Sequence, residues 1–152
     1  IEKMDIESVM KQLLTECVRD NAHREIDFSY QCKQSLPLFM GDSISLREAV
    51  RNLLDNAVYY GPEHNQIEIR LQSDSSGIDI MIDDAGSGIP LELREKALER
   101  FQRLANDLSG SGLGLSIVTS VVEAHDGAFF LEDSPLGGLR ARIHLPREGV
   151  SC

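Results

Sequence analysis

The sequence predicts an α+β domain built as a two-layer α/β sandwich: one mixed, mostly antiparallel sheet covered on one face by helices. Three observations carry this. Ser45 to Tyr60 and Leu113 to His125 place apolar residues three and four apart, the stripe that a helix buries. Ile67 to Leu71 and Ile78 to Ile82 alternate apolar and polar residues on either side of the turn SDSSG, as an antiparallel hairpin does. The chain of 152 residues is long enough for one core, burying roughly two thirds of its unfolded surface, and no second domain is expected.

Residues 1–22 carry Ile6, Val9, Met10, Leu13, Leu14, Cys17 and Val18 at helical spacing, which predicts a first helix. Ile26 to Tyr30 and Leu36 to Met40 read as two short strands, the second led by Pro37 as an edge or first-residue proline would be. Gly41-Asp42-Ser43 supplies a turn, with Asp42 or Ser43 as N-cap of the helix Ser45 to Tyr60. That helix buries Leu46, Val50, Leu53, Leu54, Ala57 and Val58, while Glu48, Asn52, Asn56 and Tyr60 form a polar row at steps of four. Gly61-Pro62 stops it, and the hairpin follows. Asp84 to Pro90 breaks the second strand, and a short helix is expected over Leu91 to Leu98. Residues 99–111 show no period and have glycines close by, the pattern of a mobile loop. After the helix from Leu113, Asp126-Gly127 turns the chain into Ala128 to Glu132, and SPLGG leads to the last strand, Leu139 to Leu145.

Net charge is −10, from 15 Lys+Arg against 25 Asp+Glu, which argues against a nucleic-acid surface, since such binding neutralises phosphates with clustered cations. An anionic ligand would need backbone amides, a few cations or a metal. No apolar run approaches a membrane span and no signal-peptide pattern opens the chain, so a soluble piece is expected. Cys17, Cys32 and Cys152 are odd in number and lack C-x-x-C spacing, which fits free thiols in a reducing compartment.

Three local signals could each serve a nucleotide. Asp84-x-Gly86-x-Gly88 lies where a buried strand ends, so its carboxylate can accept a hydrogen bond from the exocyclic amine of adenine while the glycines let a ligand approach the backbone. Guanine presents an oxygen there and is repelled. Gly110-Ser111-Gly112-Leu113-Gly114-Leu115 opens a helix, where free amides and the dipole favour phosphate. It is neither a Walker loop nor a dinucleotide fingerprint, because no Lys-Ser/Thr follows and Leu115 stands where a third glycine would. The pair Asn52 and Asn56 puts two amide oxygens one turn apart, although Asn is a mediocre helix former, and one such oxygen suits magnesium. Alone, the first is also an ordinary Asp turn, the second a glycine-rich turn, and the third two surface amides.

Their order changes the reading. With NLLDNAVYYGP at 52–62, DAGSGIP at 84–90, ERFQR at 99–103 and GSGLGLSIV at 110–118, the sequence resembles the catalytic and ATP-binding domain of bacterial two-component sensor histidine kinases. That domain shares a superfamily and the Bergerat-type ATP-binding fold with gyrase, MutL-type repair proteins and heat-shock chaperones. VVEAHDG and the final GG extend the resemblance, which covers roughly residues 36–146.

The resemblance implies ATP and Mg2+ as cofactors, with Asn52, Asn56 and Arg103 catalytic and Asn56 the metal ligand. Asp84 would read adenine, with Gly86, Gly88 and Ile89 lining the base pocket and Tyr60 flanking it, and Tyr59 would also belong to the nucleotide site. Residues 99–111 would form a lid carrying Phe101, Arg103 and Leu104, with Arg103 reaching the phosphates. Gly110, Ser111, Gly112, Leu113, Gly114 and Leu115 would close over the triphosphate. Hydrolysing relatives carry a Glu at the position of Asn52, and an amide cannot replace it as general base toward water.

Two departures stand out. Tyr59 occupies a position where the family often has Lys or Arg. None of His23, His64, His125 or His144 lies in the His-Glu/Asp-x-x context of the family's acceptor; His125 and His144 read as packing or surface residues. The resemblance therefore implies residues 1–22 as the remnant of a preceding helical hairpin and linker, and 23–152 as the catalytic domain. The missing hairpin and a response regulator would be its partners. The piece itself would be monomeric and cytoplasmic, its parent a homodimeric receptor at the inner membrane. Two other readings stay open: a stand-alone anti-sigma-factor serine kinase, and a nucleotide-gated binding module without phosphotransfer.

Overall fold

The computed structural model describes residues 1–59, 61–86, 113–147 and 150–151. The elements run β1 (Glu2–Met4), α1 (Ile6–Asp20), β2 (Glu25–Cys32), β3 (Leu38–Gly41), α2 (Ser43–Tyr59), β4 (His64–Asp74), β5 (Gly77–Asp84), α3 (Leu113–Ala124), β6 (Ala128–Asp133), β7 (Leu139–Pro146) and β8 (Val150–Ser151). The expected short helix 91–98 and loop 99–111 lie outside the described residues.

The main sheet has the order β2-β4-β5-β7-β6. Only β2 pairs in parallel, with β4; β4–β5, β5–β7 and β7–β6 are antiparallel. The predicted hairpin is present and longer at both ends than its apolar centre, with Ile67 opposite Asp84. Alternation sorts the faces. Ile67, Ile69 and Leu71 on β4, Ile78, Ile80 and Ile82 on β5, and Ala141, Ile143 and Leu145 on β7 point into one core. The intervening residues carry charge pairs: Arg70 with Glu68, Arg140 with Asp83, and Arg142 with Glu132. Met81, opposite Arg70 and Arg142, is 2% exposed on this second face.

The three helices of the described residues cover the first face. α1 packs on β2 and β4, α2 on β4 and β5, and α3 on β6 and β7, with α2 between its neighbours. Asp5 caps α1, its carboxylate accepting from the Ser8 amide at 3.2 Å. Ile6, Met10, Leu13 and Cys17 of this helix join the same core as the sheet. Burial pushes the Cys17 thiol up to about 11.

α2 begins at Ser43, two residues before the sequence-based start, because Asp42 is the cap: its Oδ1 accepts from the Ile44 and Ser45 amides at 3.1 and 3.4 Å. The Asp42 amide itself donates to His125 Nε2 at 3.0 Å, and His125 Nδ1 lies 2.8 Å from the Val121 carbonyl. A carbonyl only accepts, so the proton sits on Nδ1 and the neutral ring pins the end of α3 to the start of α2.

One expectation is corrected. The strand near residues 36–40 does not join the main sheet; β3 is the middle strand of a separate three-stranded sheet, β1-β3-β8. Pro37 immediately precedes it, so its missing N–H costs no ladder bond. Among the described residues, no helix is long and apolar enough to cross a membrane.

Candidate functional site

Asp84 is the last residue of the inward row Ile78-Ile80-Ile82, so the alternation that builds the core delivers a carboxylate to its rim. Its Oδ1 accepts from the Gly86 amide at 2.9 Å and the Leu139 amide at 3.1 Å, and its carbonyl accepts from Gly138 at 3.2 Å. Among the described residues Oδ2 accepts none. Burial raises the carboxyl pKa, and the two amide hydrogen bonds oppose that rise. The result is a half-buried carboxylate held by one oxygen, with acceptor capacity left on the other.

Gly138 explains the second glycine of SPLGG. A Cβ there would lie 2.3 Å from Asp84 Oδ1 and 2.5 Å from the Gly86 nitrogen, so only glycine lets the β6–β7 turn close on the Asp84 turn. Gly137 has φ +99° in open space and shapes the turn itself.

Asn52 and Asn56 stand half-buried on α2. Asn52 Nδ2 is buried without a hydrogen-bond partner among the described residues, a cost of about 1–3 kcal/mol. Tyr59, the last residue of α2, is 52% exposed. Leu113 and Gly114 form the first turn of α3, where helix amides lack intrahelical acceptors, and Leu115 is buried at 6% against the core.

The two ends meet through a residue that sequence reading missed. Asn65 is 4% exposed; its Nδ2 donates to the Ala57 carbonyl at 3.1 Å, and its Oδ1 accepts from the Ala85 amide at 3.2 Å and the Gln66 amide at 2.8 Å. Its signal was an asparagine in step with Ile67, Ile69 and Leu71, visible once the strand is begun at His64. The Gly61-Pro62 turn lies beside Gly86, whose Cβ position is 3.7 Å from Pro62 Cδ. Thus the exit of α2, Asp84 and Gly86 form one corner, with α3 packed along α2. Tyr60, Gly88, Ile89, Phe101, Arg103, Leu104, Gly110, Ser111 and Gly112 lie outside the described residues.

Comparison with known proteins identifies the family and the fold. Residues 41–149 match the family described as histidine kinase-, DNA gyrase B-, and HSP90-like ATPase. The chain is 41% identical over 110 residues to the sensor-type histidine kinase PrrB of Mycobacterium tuberculosis H37Rv, covering 72% of this chain and 24% of that protein. It is 40% identical over 114 residues to the sensor histidine kinase CpxA of Escherichia coli K12, with 72% and 24% covered. The chain thus spans about a quarter of these curated relatives. Among solved structures, the ATP-binding domain of M. tuberculosis PrrB superposes with a TM-score of 0.80 at 31% identity, covering 99% of this chain and 98% of that one. The ThkA catalytic domain, 22% identical with 95% and 93% covered, shares the fold at a TM-score of 0.85. The chain belongs to the histidine kinase-, DNA gyrase B-, and HSP90-like ATPase family, and over almost its whole length it is similar to the ATP-binding domain of a sensor histidine kinase.

Proposed function

We propose that this domain binds Mg-ATP and, joined to a helical hairpin that carries the acceptor, transfers the γ-phosphoryl group to a histidine in two-component signalling. The observation that carries the reading is the Asp84 carboxylate, fixed at the core rim by the Gly86 and Leu139 amides. Asp84 accepts from the exocyclic amine of adenine, with Gly86, Gly88 and Ile89 around the base and Tyr60 at its side. Gly110 to Leu115 offers backbone amides to the triphosphate. Phe101, Arg103 and Leu104 belong to the lid, where Arg103 meets phosphate charge.

The donor set fits magnesium: a half-buried amide oxygen from Asn56, with Asn52 one turn away, leaves most positions to water and phosphate as this cation prefers. When bound, magnesium neutralises phosphate charge and fixes the triphosphate. Asn52 offers an amide and not a base, so it does not activate water, and the γ-phosphoryl group is kept for the acceptor. Catalysis is then positioning and charge neutralisation.

Residues 1–22 are proposed as the continuation of the preceding hairpin, entering through β1 and α1. In the parent protein the hairpin and a response regulator are the partners, the parent dimerises, and the domain lies on the cytoplasmic side of the inner membrane. Calorimetry tests the site: Asn56→Asp, and separately Gly112→Ala with Gly114→Ala, are expected to weaken Mg-ATP binding, and unchanged affinity in both overturns the assignment. Labelled ATP with a purified hairpin, against a serine substrate, tests the acceptor.

A further inference from the structure

We propose that Asn65 is a positioning residue that sets the spacing between the Asn52/Asn56 end of α2 and Asp84, and so joins phosphate-side to base-side binding of one nucleotide. The inference rests on the nucleotide site proposed above. Its basis is a pair of contacts made by one side chain. Ala57, whose carbonyl accepts from Nδ2, follows Asn56; Ala85, whose amide donates to Oδ1, follows Asp84. A single planar carboxamide therefore spans from the residue after one candidate ligand to the residue after the other.

The partners dictate the chemistry. The Ala57 carbonyl lies in the last turn of α2, where no intrahelical amide remains to satisfy it, so it needs a donor. The Ala85 amide needs an acceptor. Only a carboxamide supplies both in one rigid plane; aspartate loses the donor and leucine loses both. The site is tight as well: a Cβ at Gly61 would sit 2.1 Å from Asn65 Nδ2 and 2.6 Å from the Ala57 oxygen, so the chain leaving α2 is seated directly on this amide. A polar side chain 4% exposed in a row otherwise filled by Ile67, Ile69 and Leu71 forgoes apolar burial, and the spacing it enforces is what it gains.

A ligand that touches both ends feels this spacing, whereas adenosine, which lacks the phosphates, feels only the Asp84 end. The test is calorimetry of Mg-ATP and of adenosine on the domain bearing Asn65→Leu and, as a variant of unchanged shape, Asn65→Asp, well below each thermal midpoint. The expected result is a loss of about tenfold or more in Mg-ATP affinity, since misplacement by an ångström carries such costs. Adenosine affinity stays within about threefold, a change under 1 kcal/mol. A residue that only caps α2 lowers the midpoint and moves neither affinity, and that result overturns the proposal. Equal loss of both ligands also overturns it, because Asn65 then serves Asp84 alone. If Asn65→Leu does not fold, Asn65→Asp decides. A wild-type domain that binds no Mg-ATP overturns the nucleotide site itself, an outcome distinct from unaffected variants of a binding domain.

Discussion

Arg140 grips Asp83 at two points, Nε 2.7 Å from Oδ1 and Nη2 3.0 Å from Oδ2, on a carboxylate that is 1% exposed. The pair ties β5 to β7 one residue before Asp84.

Removing only the cation leaves a buried charge alone, so Arg140→Ala should destabilise the domain by about 3 kcal/mol, the low end for a buried pair because the Arg140 side chain is 18% exposed. Asp83→Leu with Arg140→Met should recover most of that loss, since the desolvation cost disappears with the charges. Urea denaturation of the single and double variants checks both. Glu68→Gln, at the more exposed pair with Arg70, should cost under about 1 kcal/mol.

Burial of Asp84 raises its pKa from the ordinary 3.8. A carboxyl whose folded-state pKa exceeds its unfolded value holds its proton more tightly when folded, so this group's contribution to stability is full at low pH and declines as pH rises from 3.8 through the raised value. Binding runs the other way, because the ionised carboxylate is the better acceptor for the adenine amine. Adenosine affinity should fall on acidification at a pH above that of an ordinary carboxylate. Asp84→Asn should lose roughly tenfold to a hundredfold in affinity at neutral pH and abolish that acid-side decline. Titration calorimetry across pH reads both.

The unpartnered Asn52 Nδ2 makes stability and binding oppose each other. Asn52→Leu removes the unsatisfied donor while keeping the shape, so the nucleotide-free domain should be as stable or up to about 1 kcal/mol more stable. Mg-ATP affinity should nevertheless drop. Denaturation without nucleotide, paired with calorimetry, measures the two effects.

The two glycines of SPLGG should fail differently. Gly137→Ala meets no atom within 4 Å but forces alanine to φ +99°, so it should cost about 1–2 kcal/mol of stability and spare adenosine binding. Gly138→Ala drives a methyl group into Asp84 Oδ1 and the Gly86 nitrogen, so adenosine affinity should fall about tenfold or more. Thermal melts and calorimetry separate them.

Periodicity made the three described helices and the β4–β5 hairpin legible, because each has an apolar stripe that the core demands. The placement of Asp84 and Gly86 at a strand end was legible as well. β1 and β8 were not, since strands of three and two residues contain no period to read. The parallel seat of β2 beside β4 escaped because pairing across a crossover is decided by packing and not by adjacent residues. Asn65 and Gly138 escaped for a related reason. Their partners, Ala57 and Ala85 for one and Asp84 for the other, are assembled only by the tertiary fold. A turn glycine and a strand-end asparagine look ordinary until those partners arrive.

β1 and β8 pair with opposite edges of β3, which places two segments distant in sequence about 10 Å apart, two strand spacings. Mechanical load entering through both flanks would therefore meet at one short strand, and β3 feeds directly into Asp42 and α2. A pulling experiment through the flanks should therefore unzip the small sheet first, as a separate low-force event, before load passes into the five-stranded sheet through β7, the strand that precedes β8.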